Sequence, residues 1–242
     1  MSADLSDNTV INEQTELSLN EGIDGGDNQT KWLAEQLVRH ARNAGIPTVI
    51  YRPSLITGAS HTGRWNQADV VCRMIKGCID TGFIPKLDIQ LNFVPVDYVA
   101  KSIALLAKHN PYQDDVLHLI NPFAIGFDKV LASIRAKGFP IKEVDYLEWQ
   151  KMLKVNMEYS ESSFSSLLPF LVEKVPNKQR SLFDLYLHNN KAKIDCSYTL
   201  DKLANFKVDC SKVDETLLNK YLDYLIECGY LTQEELIDGS IK

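Results

Sequence analysis

The chain has 242 residues, of which 45% are hydrophobic and 24% are charged, and its formal net charge is -6. Such a composition is ordinary for a globular protein and allows one large domain or two small ones. A nucleic-acid surface is not expected, because phosphate binding needs clustered Lys and Arg and the sequence has no basic run. No apolar run is long enough to cross a bilayer, and the polar N-terminus is unlike a signal peptide, so we expect a cytoplasmic protein.

Residues 1–28 are polar and lack periodic apolar positions, so we expect a loop or a disordered lead-in there. From residue 29 to residue 41 apolar residues recur at helical spacing, and Gly45 ends the predicted helix. The β-branched run 48–51 predicts a buried strand. A helix, a tight turn and a short apolar strand make the αβ unit from which parallel, doubly wound sheets are built.

The same alternation continues along the chain. A helix is predicted over 70–79, an extended run over 92–96 and a strand over 116–120, with Asp97 placed to cap a helix that begins near Val99. Beyond residue 125 the pattern is mainly helical, and its aromatic residues are expected in the core. Helices are predicted over 126–138, 145–155, 161–173 and 213–229, with a last short helix capped by Thr232 and Glu235.

The five cysteines are odd in number, and none of their spacings is that of a zinc site. No metal is therefore expected. We expect reduced, mostly buried thiols at Cys72, Cys78, Cys196, Cys210 and Cys228.

Six short segments resemble one family and occur in the order of that family. They are Q-T-K-W-L-A-E at 29–35, I-Y-R-P-S-L-I-T-G at 50–58, T-G-R-W-N at 62–66, N-F-V-P-V-D-Y-V-A at 92–100, H-L-I-N-P at 118–122 and the C-terminal helix with G-Y-L at 221–231. Together they are similar to the short-chain dehydrogenase/reductase superfamily in its extended form. The narrower resemblance is to the thioester reductase domains of nonribosomal peptide synthetases, aminoadipate reductases and carboxylic acid reductases.

This resemblance implies an α/β fold with a partial Rossmann-like parallel sheet that lacks its N-terminal strands. Residues 29–125 would form the remnant of the reductase core, with an insertion that belongs to the substrate lobe. Residues 126–242 would form a helical, substrate-binding C-terminal part.

In the family, a hydride passes from NADPH to a thioester carbonyl while a tyrosine hydroxyl protonates the developing oxyanion. A lysine four residues after that tyrosine contacts the nicotinamide ribose. Carried over to this chain, the resemblance implies a catalytic and cofactor-contacting Lys31, cofactor contacts by Pro53, Ser54 and Leu55, and substrate contacts by Arg64, Trp65 and Asn66.

The sequence departs from the family in two ways. Asp27 stands four residues before Lys31, where the family has tyrosine, and an ionised carboxylate cannot protonate an oxyanion. No glycine-rich phosphate-binding turn follows a strand, and the chain begins after the point where the nucleotide-binding strands should have ended. We therefore expect that the chain alone does not bind NADPH.

Simpler roles remain open for the same residues. Lys31 could be a solvated lysine at the start of a helix, Pro53 a strand terminator, and the segment 64–66 a loop with a helix cap. His118 lies within an apolar run and is expected to be a hydrogen-bonded core histidine.

The leading functional hypothesis is the substrate side of a thioester reductase that releases carrier-bound chains as aldehyde or alcohol and is not active alone. One alternative is a release domain that cyclises its substrate without redox chemistry. Another is a non-catalytic module that binds a carrier protein. The expected partner is a carrier protein with its phosphopantetheine arm, together with either a missing N-terminal reductase half or a second copy of the chain.

Overall fold

The computed structural model describes residues 10–15, 23–109, 115–157, 164–176, 178–189 and 193–232. The strands are β1 Val10–Ile11, β2 Val49–Pro53, β3 Leu55–Thr57, β4 Phe83–Pro85, β5 Gln90–Leu91, β6 Phe93–Pro95, β7 Asp115–Leu119, β8 Ile125–Gly126, β9 Lys142–Val144 and β10 Lys193–Ile194. The helices are α1 Gly26–Asn43, α2 Val70–Thr81, α3 Val96–His109, α4 Phe127–Ala136, α5 Tyr146–Met157, α6 Leu168–Leu171, α7 Leu182–Asn189, α8 Ser197–Ala204 and α9 Glu215–Glu227.

Most of the strand pairs are parallel. β2 lies beside β7 with Val49 opposite Asp115 and Pro53 opposite Leu119. The pairs β3–β6, β4–β9 and β1–β10 are also parallel, and β5–β8 is antiparallel. The extended segment 49–57 therefore pairs first with β7 and then, after Ser54, with β6. These pairings, joined through helices, confirm the predicted α/β class.

Local capping explains where the helices begin and end. The Asp69 carboxylate accepts a hydrogen bond from the N–H of Val71 at 2.8 Å and starts α2. Gly82 ends the same helix with φ of 70°, a left-handed conformation that glycine adopts without strain. The carboxylate of Asp214 accepts from the N–H of Leu217 at the start of α9.

Apolar side chains form two clusters. The larger one lies among α2, α4, α5 and α9, and the fully buried Trp149 and Phe164 belong to it. The smaller one lies between α3, α8 and the strands β6 and β7, and contains Tyr98 and Leu117. The predicted core role of the aromatic residues is thus confirmed for the helical part of the chain.

Two of the predicted elements are wrong in detail. α3 begins at Val96, so Asp97 lies inside its first turn and does not cap it. The predicted helix over 161–173 is instead a 3₁₀ turn, Ser165–Leu167, followed by the short α6, and residues 161–163 lie outside the described part. Pro169 has no N–H to bond to an earlier turn, which keeps the two pieces from forming one helix.

Helices α7 and α8 were not predicted, because each has only eight residues and a weak apolar stripe. The predicted cap at Thr232 depends on Glu235, which lies outside the described residues. No helix in the described ranges is both long and apolar enough to cross a membrane. All five cysteines are free, and three of them are buried.

Residues 10–15 were expected to be a loop or disordered, but they contain the short strand β1. β1 lies parallel to β10, and the Glu13 side chain is only 4% exposed. Its carboxylate accepts hydrogen bonds from the N–H of Thr199 at 3.1 Å and from its hydroxyl at 2.8 Å. Because Cys196 makes no side-chain cap at the start of α8, Glu13 caps that helix from the opposite end of the sequence.

Polar contacts attach α1 to the sheet. The Glu35 carboxylate accepts from two nitrogens of Arg52 in β2, at 2.6 and 3.0 Å, and also pairs with Arg39. Near the end of the helix, Arg42 donates to the hydroxyl and carbonyl of Thr48 and to the carbonyl of Asp115. The helix itself contains no buried residue. Its position therefore depends on these arginine contacts.

The loop 58–64 rests directly on α9. Lys220 donates to the carbonyl of Ser60 at 2.9 Å, and the Tyr221 hydroxyl donates to the carbonyl of Gly58 at 2.9 Å. A Cβ atom at Gly58 would lie 2.9 Å from the Tyr221 ring, and one at Gly63 would collide with the Lys220 carbonyl. Glycine at both positions allows this close approach.

We expect Glu35→Gln to destabilise the chain by about 2 kcal/mol at neutral pH, because charge-assisted hydrogen bonds to Arg52 are lost. Burial alone raises the pKa of Glu35, but the hydrogen bonds and charges of Arg52 and Arg39 outweigh it and lower the pKa from 4.5. This stabilisation is complete above pH 4.5 and is lost as the pH falls through the lowered pKa. Urea unfolding at several pH values should show a smaller acid loss for the variant than for the parent chain. Equal acid losses, or an equal effect of Glu148→Gln on the exposed side of α5, would contradict this role.

Substitutions at two glycines with positive φ distinguish the stability cost of backbone strain from the cost of a steric collision. Gly63 has φ of 73° and Gly45 has φ of 86°, but a Cβ at Gly45 meets nothing within 4 Å. We expect Gly45→Ala to cost about 1 kcal/mol from backbone strain alone. Gly63→Ala should cost at least about 2 kcal/mol more, because the loop must move off α9. Chemical unfolding measures both, and similar losses would show that the loop does not need this contact.

Candidate functional site

The candidate site lies where β2 and β7 end. Ligands of open α/β sheets bind at the carboxyl ends of the parallel strands. Pro53 is the last residue of β2 and is exposed, and the N–H of Ser54 donates to the carbonyl of Leu119 at the end of β7. Leu55, the first residue of β3, is partly buried against the larger apolar cluster. The structure thus places residues 53–55, which are predicted to face the cofactor, at the carboxyl ends of the parallel strands β2 and β7.

A hydrogen-bonded bracket joins the strand ends at this edge. The Asn92 amide oxygen accepts from the Ser54 hydroxyl at 2.6 Å and from the N–H of Asn121 at 3.0 Å, and its amide nitrogen donates to the carbonyl of Asn121 at 2.7 Å. Asn121 donates in turn to the carbonyls of Phe93 and Ser211. The Ser54 hydroxyl donates its hydrogen bond to Asn92 and so helps to hold these strand ends together. It is therefore not available to donate a proton to a substrate.

Sequence reasoning did not assign Asn92 and Asn121 to the site. Asn121 is 1% exposed, and its amide oxygen also accepts from the N–H of Phe123 at 3.0 Å. Phe123 is held by this contact and is 53% exposed, which leaves an apolar surface beside the bracket. The available signal was an asparagine next to a strand in each case: Asn92 lies between β5 and β6, and Asn121 follows β7. Side-chain amides at such positions often join neighbouring backbone segments.

Lys31 and Asp27 lie on the first two turns of α1, and both are exposed. Within the described part of the chain, Lys31 has no hydrogen-bond or ion-pair partner, so its amine is free to meet a ligand. Asp27 lies in the first helical turn, where the helix dipole favours a negative charge. A carboxylate there cannot replace the proton-donating phenol of a reductase.

The predicted substrate residues separate into two kinds. Arg64 and Asn66 are exposed on the loop that rests on α9. Trp65 is only 6% exposed and packs against Phe93 and Tyr221, with ring centroids 6.3 and 5.2 Å away. In the described ranges, no hydrogen bond or ion pair joins Arg64 or Asn66 to the residues at the strand ends. Trp65 therefore fixes the loop, and its two neighbours face outward.

Asp97 belongs to the support of this loop. Its carboxylate accepts from the N–H and the hydroxyl of Ser60, both at 2.7 Å. Burial raises the pKa of Asp97, but the two hydrogen bonds from Ser60 outweigh it and hold the pKa below its usual range. The contact ties the loop to α3 at the carboxyl end of β6.

His118 is a hydrogen-bonded core residue, as expected. It is 3% exposed, its Nδ1 donates to the carbonyl of Asp195 at 2.7 Å, and its Nε2 lies 3.3 Å from Arg52. This pattern leaves no free ring nitrogen for catalysis. No cluster of possible metal ligands occurs in the described ranges either.

A tyrosine four residues before a lysine does occur elsewhere, at Tyr198 and Lys202 in α8. Both side chains bind the Asp115 carboxylate, at 2.7 and 2.9 Å. The hydrogen bond to Asp115 is the main cause that raises the pKa of Tyr198. Because Asp115 begins β7, the pair lies at the amino end of the strand. It stabilises the sheet and is not the proton-donating pair of a reductase.

The residues present fit one end of a nicotinamide dinucleotide better than the other. The free amine of Lys31 and the exposed edge at Pro53 suit the ribose and nicotinamide. Gly25 and Gly26 lie at the start of α1, but Asp27 in its first turn would repel a pyrophosphate, and the neighbouring Asp24 is paired with Lys178. The described residues therefore do not form a complete dinucleotide site.

Comparison with known proteins agrees with this fold. An NAD-binding family described as male sterility protein matches residues 3–103. The L-2-aminoadipate reductase of Schizosaccharomyces pombe is 31% identical over 214 residues, which are 87% of this chain and 15% of the relative.

Two solved structures are similar in three dimensions. The terminal R domain from the myxalamid PKS-NRPS biosynthetic pathway has a TM-score of 0.81 and 31% identity, with 96% of this chain and 56% of that chain covered. A thiolation-reductase di-domain from an archaeal non-ribosomal peptide synthetase has a TM-score of 0.72 and 23% identity, with 92% and 44% covered. The chain thus spans only part of each relative. With its six ordered segments and its fold, the chain belongs to the thioester reductase family of the extended short-chain dehydrogenases/reductases.

Proposed function

We propose that this chain is the substrate side of an NADPH-dependent thioester reductase that releases carrier-bound acyl or peptidyl chains as aldehyde or alcohol in the cytoplasm. The observation that carries the proposal is the free amine of Lys31 on the helix that leads into β2, whose carboxyl end bears Pro53 and Ser54. Family membership supports the same assignment, since the similar structures are reductase domains.

In this proposal, Lys31 contacts the nicotinamide ribose, and Pro53, Ser54 and Leu55 face the cofactor. NADPH supplies the hydride that reduces the thioester carbonyl. The exposed Arg64 and Asn66 contact the incoming substrate arm, while Trp65 holds their loop against α9. Phe123 offers an apolar surface for the acyl chain beside the strand ends.

In this proposal, the chain alone does not catalyse the reduction. Asp27 cannot protonate an oxyanion, and the described residues do not hold a pyrophosphate. In this proposal, residues other than the described ones supply the pyrophosphate contacts. The partner on the substrate side is a carrier protein with a phosphopantetheine arm, in line with the thiolation-reductase pairing of the archaeal structure.

Redox-independent release is the second candidate function. It is favoured by Asp27, because a carboxylate beside a thioester can act as a base and assist cyclisation where a tyrosine would assist reduction. A pure carrier-binding module is the third, and would use the same exposed loop without any chemistry.

The proposal predicts binding without turnover. The purified chain should show no saturable NADPH binding in the micromolar range, and should bind a phosphopantetheinylated carrier more tightly than the same carrier without its arm. Arg64→Ala should weaken carrier binding about tenfold, or about 1.4 kcal/mol, because a charged contact to the arm is lost. Fluorescence titration and biolayer interferometry measure the two affinities.

Arg180→Ala is the matched control, since it removes another exposed arginine, from the turn before α7. Oxidation of NADPH by the chain alone would contradict the proposal that this chain does not catalyse the reduction by itself. Product release from a loaded carrier without NADPH would favour the redox-independent function. Equal affinity for carriers with and without the arm would contradict the substrate-side role.

A further inference from the structure

Tyr221 of α9 contacts the loop 58–64 and its flanks through both its ring and its hydroxyl. The ring packs against the indole of Trp65, with the centroids 5.2 Å apart. The hydroxyl donates to the carbonyl of Gly58 at 2.9 Å and accepts from the hydroxyl of Thr57 at 3.2 Å. Burial raises the pKa of Tyr221 to about 12, so the hydroxyl keeps its proton at neutral pH. One neutral side chain therefore joins the end of β3 to the loop.

The peptide group between Gly58 and Ala59 links this hydroxyl to Arg64. Its carbonyl accepts from Tyr221, and its N–H donates to the carbonyl of Arg64 at 2.9 Å. Because the peptide is trans, these two hydrogen bonds point in opposite directions from one rigid plane. Hydrogen bonds connected in this way polarise and strengthen one another. The Tyr221 hydroxyl thus acts on the backbone of Arg64 through a single peptide group.

A second hydrogen bond closes the loop around the same point. The N–H of Gly63 donates to the carbonyl of Ala59 at 2.8 Å. The N–H of Arg64 makes only a long contact of 3.4 Å with the hydroxyl of Thr62. The backbone of Arg64 is therefore held mainly through its carbonyl, by the peptide that Tyr221 supports.

The other supports of the loop act at a different residue. Lys220 donates to the carbonyl of Ser60 at 2.9 Å. The carboxylate of Asp97 accepts from the N–H and the hydroxyl of Ser60, both at 2.7 Å. These contacts hold Ser60 between α9 and α3, but neither of them involves the peptide group that bonds to Arg64. The tyrosine hydroxyl thus has a contact that the two charged side chains do not duplicate.

The side chain of Arg64 depends on its backbone for its direction. It is exposed, and in the part of the chain that the structure describes its guanidinium has no hydrogen-bond or ion-pair partner. A long side chain loses conformational freedom when it binds a ligand, and a fixed backbone reduces that loss. Whatever fixes the Arg64 backbone therefore strengthens binding by its guanidinium.

We propose that Tyr221 is a positioning residue for the carrier arm: its hydroxyl, acting through the peptide group between Gly58 and Ala59, holds Arg64 in the orientation that meets the phosphopantetheine arm. This inference rests on the proposed function, which assigns the arm contact to Arg64. It adds a determinant of arm affinity that lies in the C-terminal helix and does not itself touch the arm.

Replacement of the hydroxyl alone tests this role. Tyr221→Phe keeps the ring that packs on Trp65 and removes the group that donates to Gly58. We expect the affinity of the full chain for a phosphopantetheinylated carrier to fall about fivefold, the effect of losing one neutral hydrogen bond. The affinity for the same carrier without its arm should not change. Biolayer interferometry measures both.

Tyr224→Phe is the matched control, because it makes the same substitution on the same helix. Tyr224 also packs against the larger apolar cluster, and its hydroxyl has no hydrogen-bond partner among the described residues. We expect this variant to bind the arm as the parent chain does. An equal loss of affinity in both variants would show a general effect on α9 and would overturn the proposal.

A double-mutant cycle distinguishes positioning from a purely structural role. If Tyr221 acts through Arg64, Tyr221→Phe should weaken arm binding by less than about twofold in a chain that already carries Arg64→Ala. The same fivefold loss in both backgrounds would show that the two residues act independently, and the positioning role would then be wrong.

Amide hydrogen exchange of the free chain, followed by NMR, tests the proposed path. Tyr221→Phe should make the N–H of Ala59 exchange about tenfold faster, because the peptide that it belongs to loses its support. The N–H of Arg73, which bonds to the carbonyl of Asp69 in α2, should be unaffected. No change at Ala59, or equally faster exchange at both positions, would contradict a local effect on the loop.

Arg64→Ala alone separates this inference from the proposed function. If Arg64→Ala weakens arm binding and Tyr221→Phe does not, the positioning role is wrong and the proposed function stands. If Arg64→Ala has no effect while Tyr221→Phe releases the Ala59 amide, Tyr221 does hold the loop, and it is the proposed arm contact that fails.

Discussion

The guanidinium of Arg52 is the contact on which the rest of this structure depends. It donates twice to Glu35 in α1, lies 3.3 Å from His118 in β7 and reaches the carbonyl of Thr15 near the N-terminus. Through His118 it is linked to Asp195 at the start of α8. One side chain in β2 therefore contacts a helix, the neighbouring strand and the N-terminal segment 10–15. A planar cation with five donors can make such contacts at once, which a lysine could not.

Polar attachment has a consequence for α1. A helix held by apolar packing hides its leucines, whereas α1 uses charged residues on its inner side and leaves Leu33 and Leu37 outside. Exposed apolar area of this kind is unfavourable in water by roughly 25 cal/mol per Å² and is relieved when a partner covers it. The same helix carries Lys31, so its exposed leucines lie on the same element as a predicted site residue.

The sequence pattern predicts the structure correctly where the conformation of one residue decides where an element ends. The helix that ends at Gly82 and the strand that ends at Pro53 follow from the conformations of glycine and proline. Prediction failed where the deciding partner is distant in sequence. Asp97 was predicted to cap a helix, but its carboxylate accepts hydrogen bonds from Ser60. Residues 10–15 were predicted to be a loop, but Glu13 accepts hydrogen bonds from Thr199. The same holds for the candidate site: Lys31 and Pro53 were predicted from motifs and stay predictions, whereas Asn92 and Asn121 were not predicted.

The sequence by itself determined the α/β class and the family, because helix periodicity, β-branched runs and short motifs are local properties of the chain. It also provided the prediction of which residues meet a cofactor, and it has Asp27 where the resemblance places the family's tyrosine. Only the tertiary structure decided which side of α1 faces the solvent, that Trp65 is a packing residue, and that β2 pairs with β7. Those features depend on contacts between residues far apart in sequence, such as Glu35 with Arg52 and Trp65 with Tyr221. Such contacts form only when the strands and helices pack together.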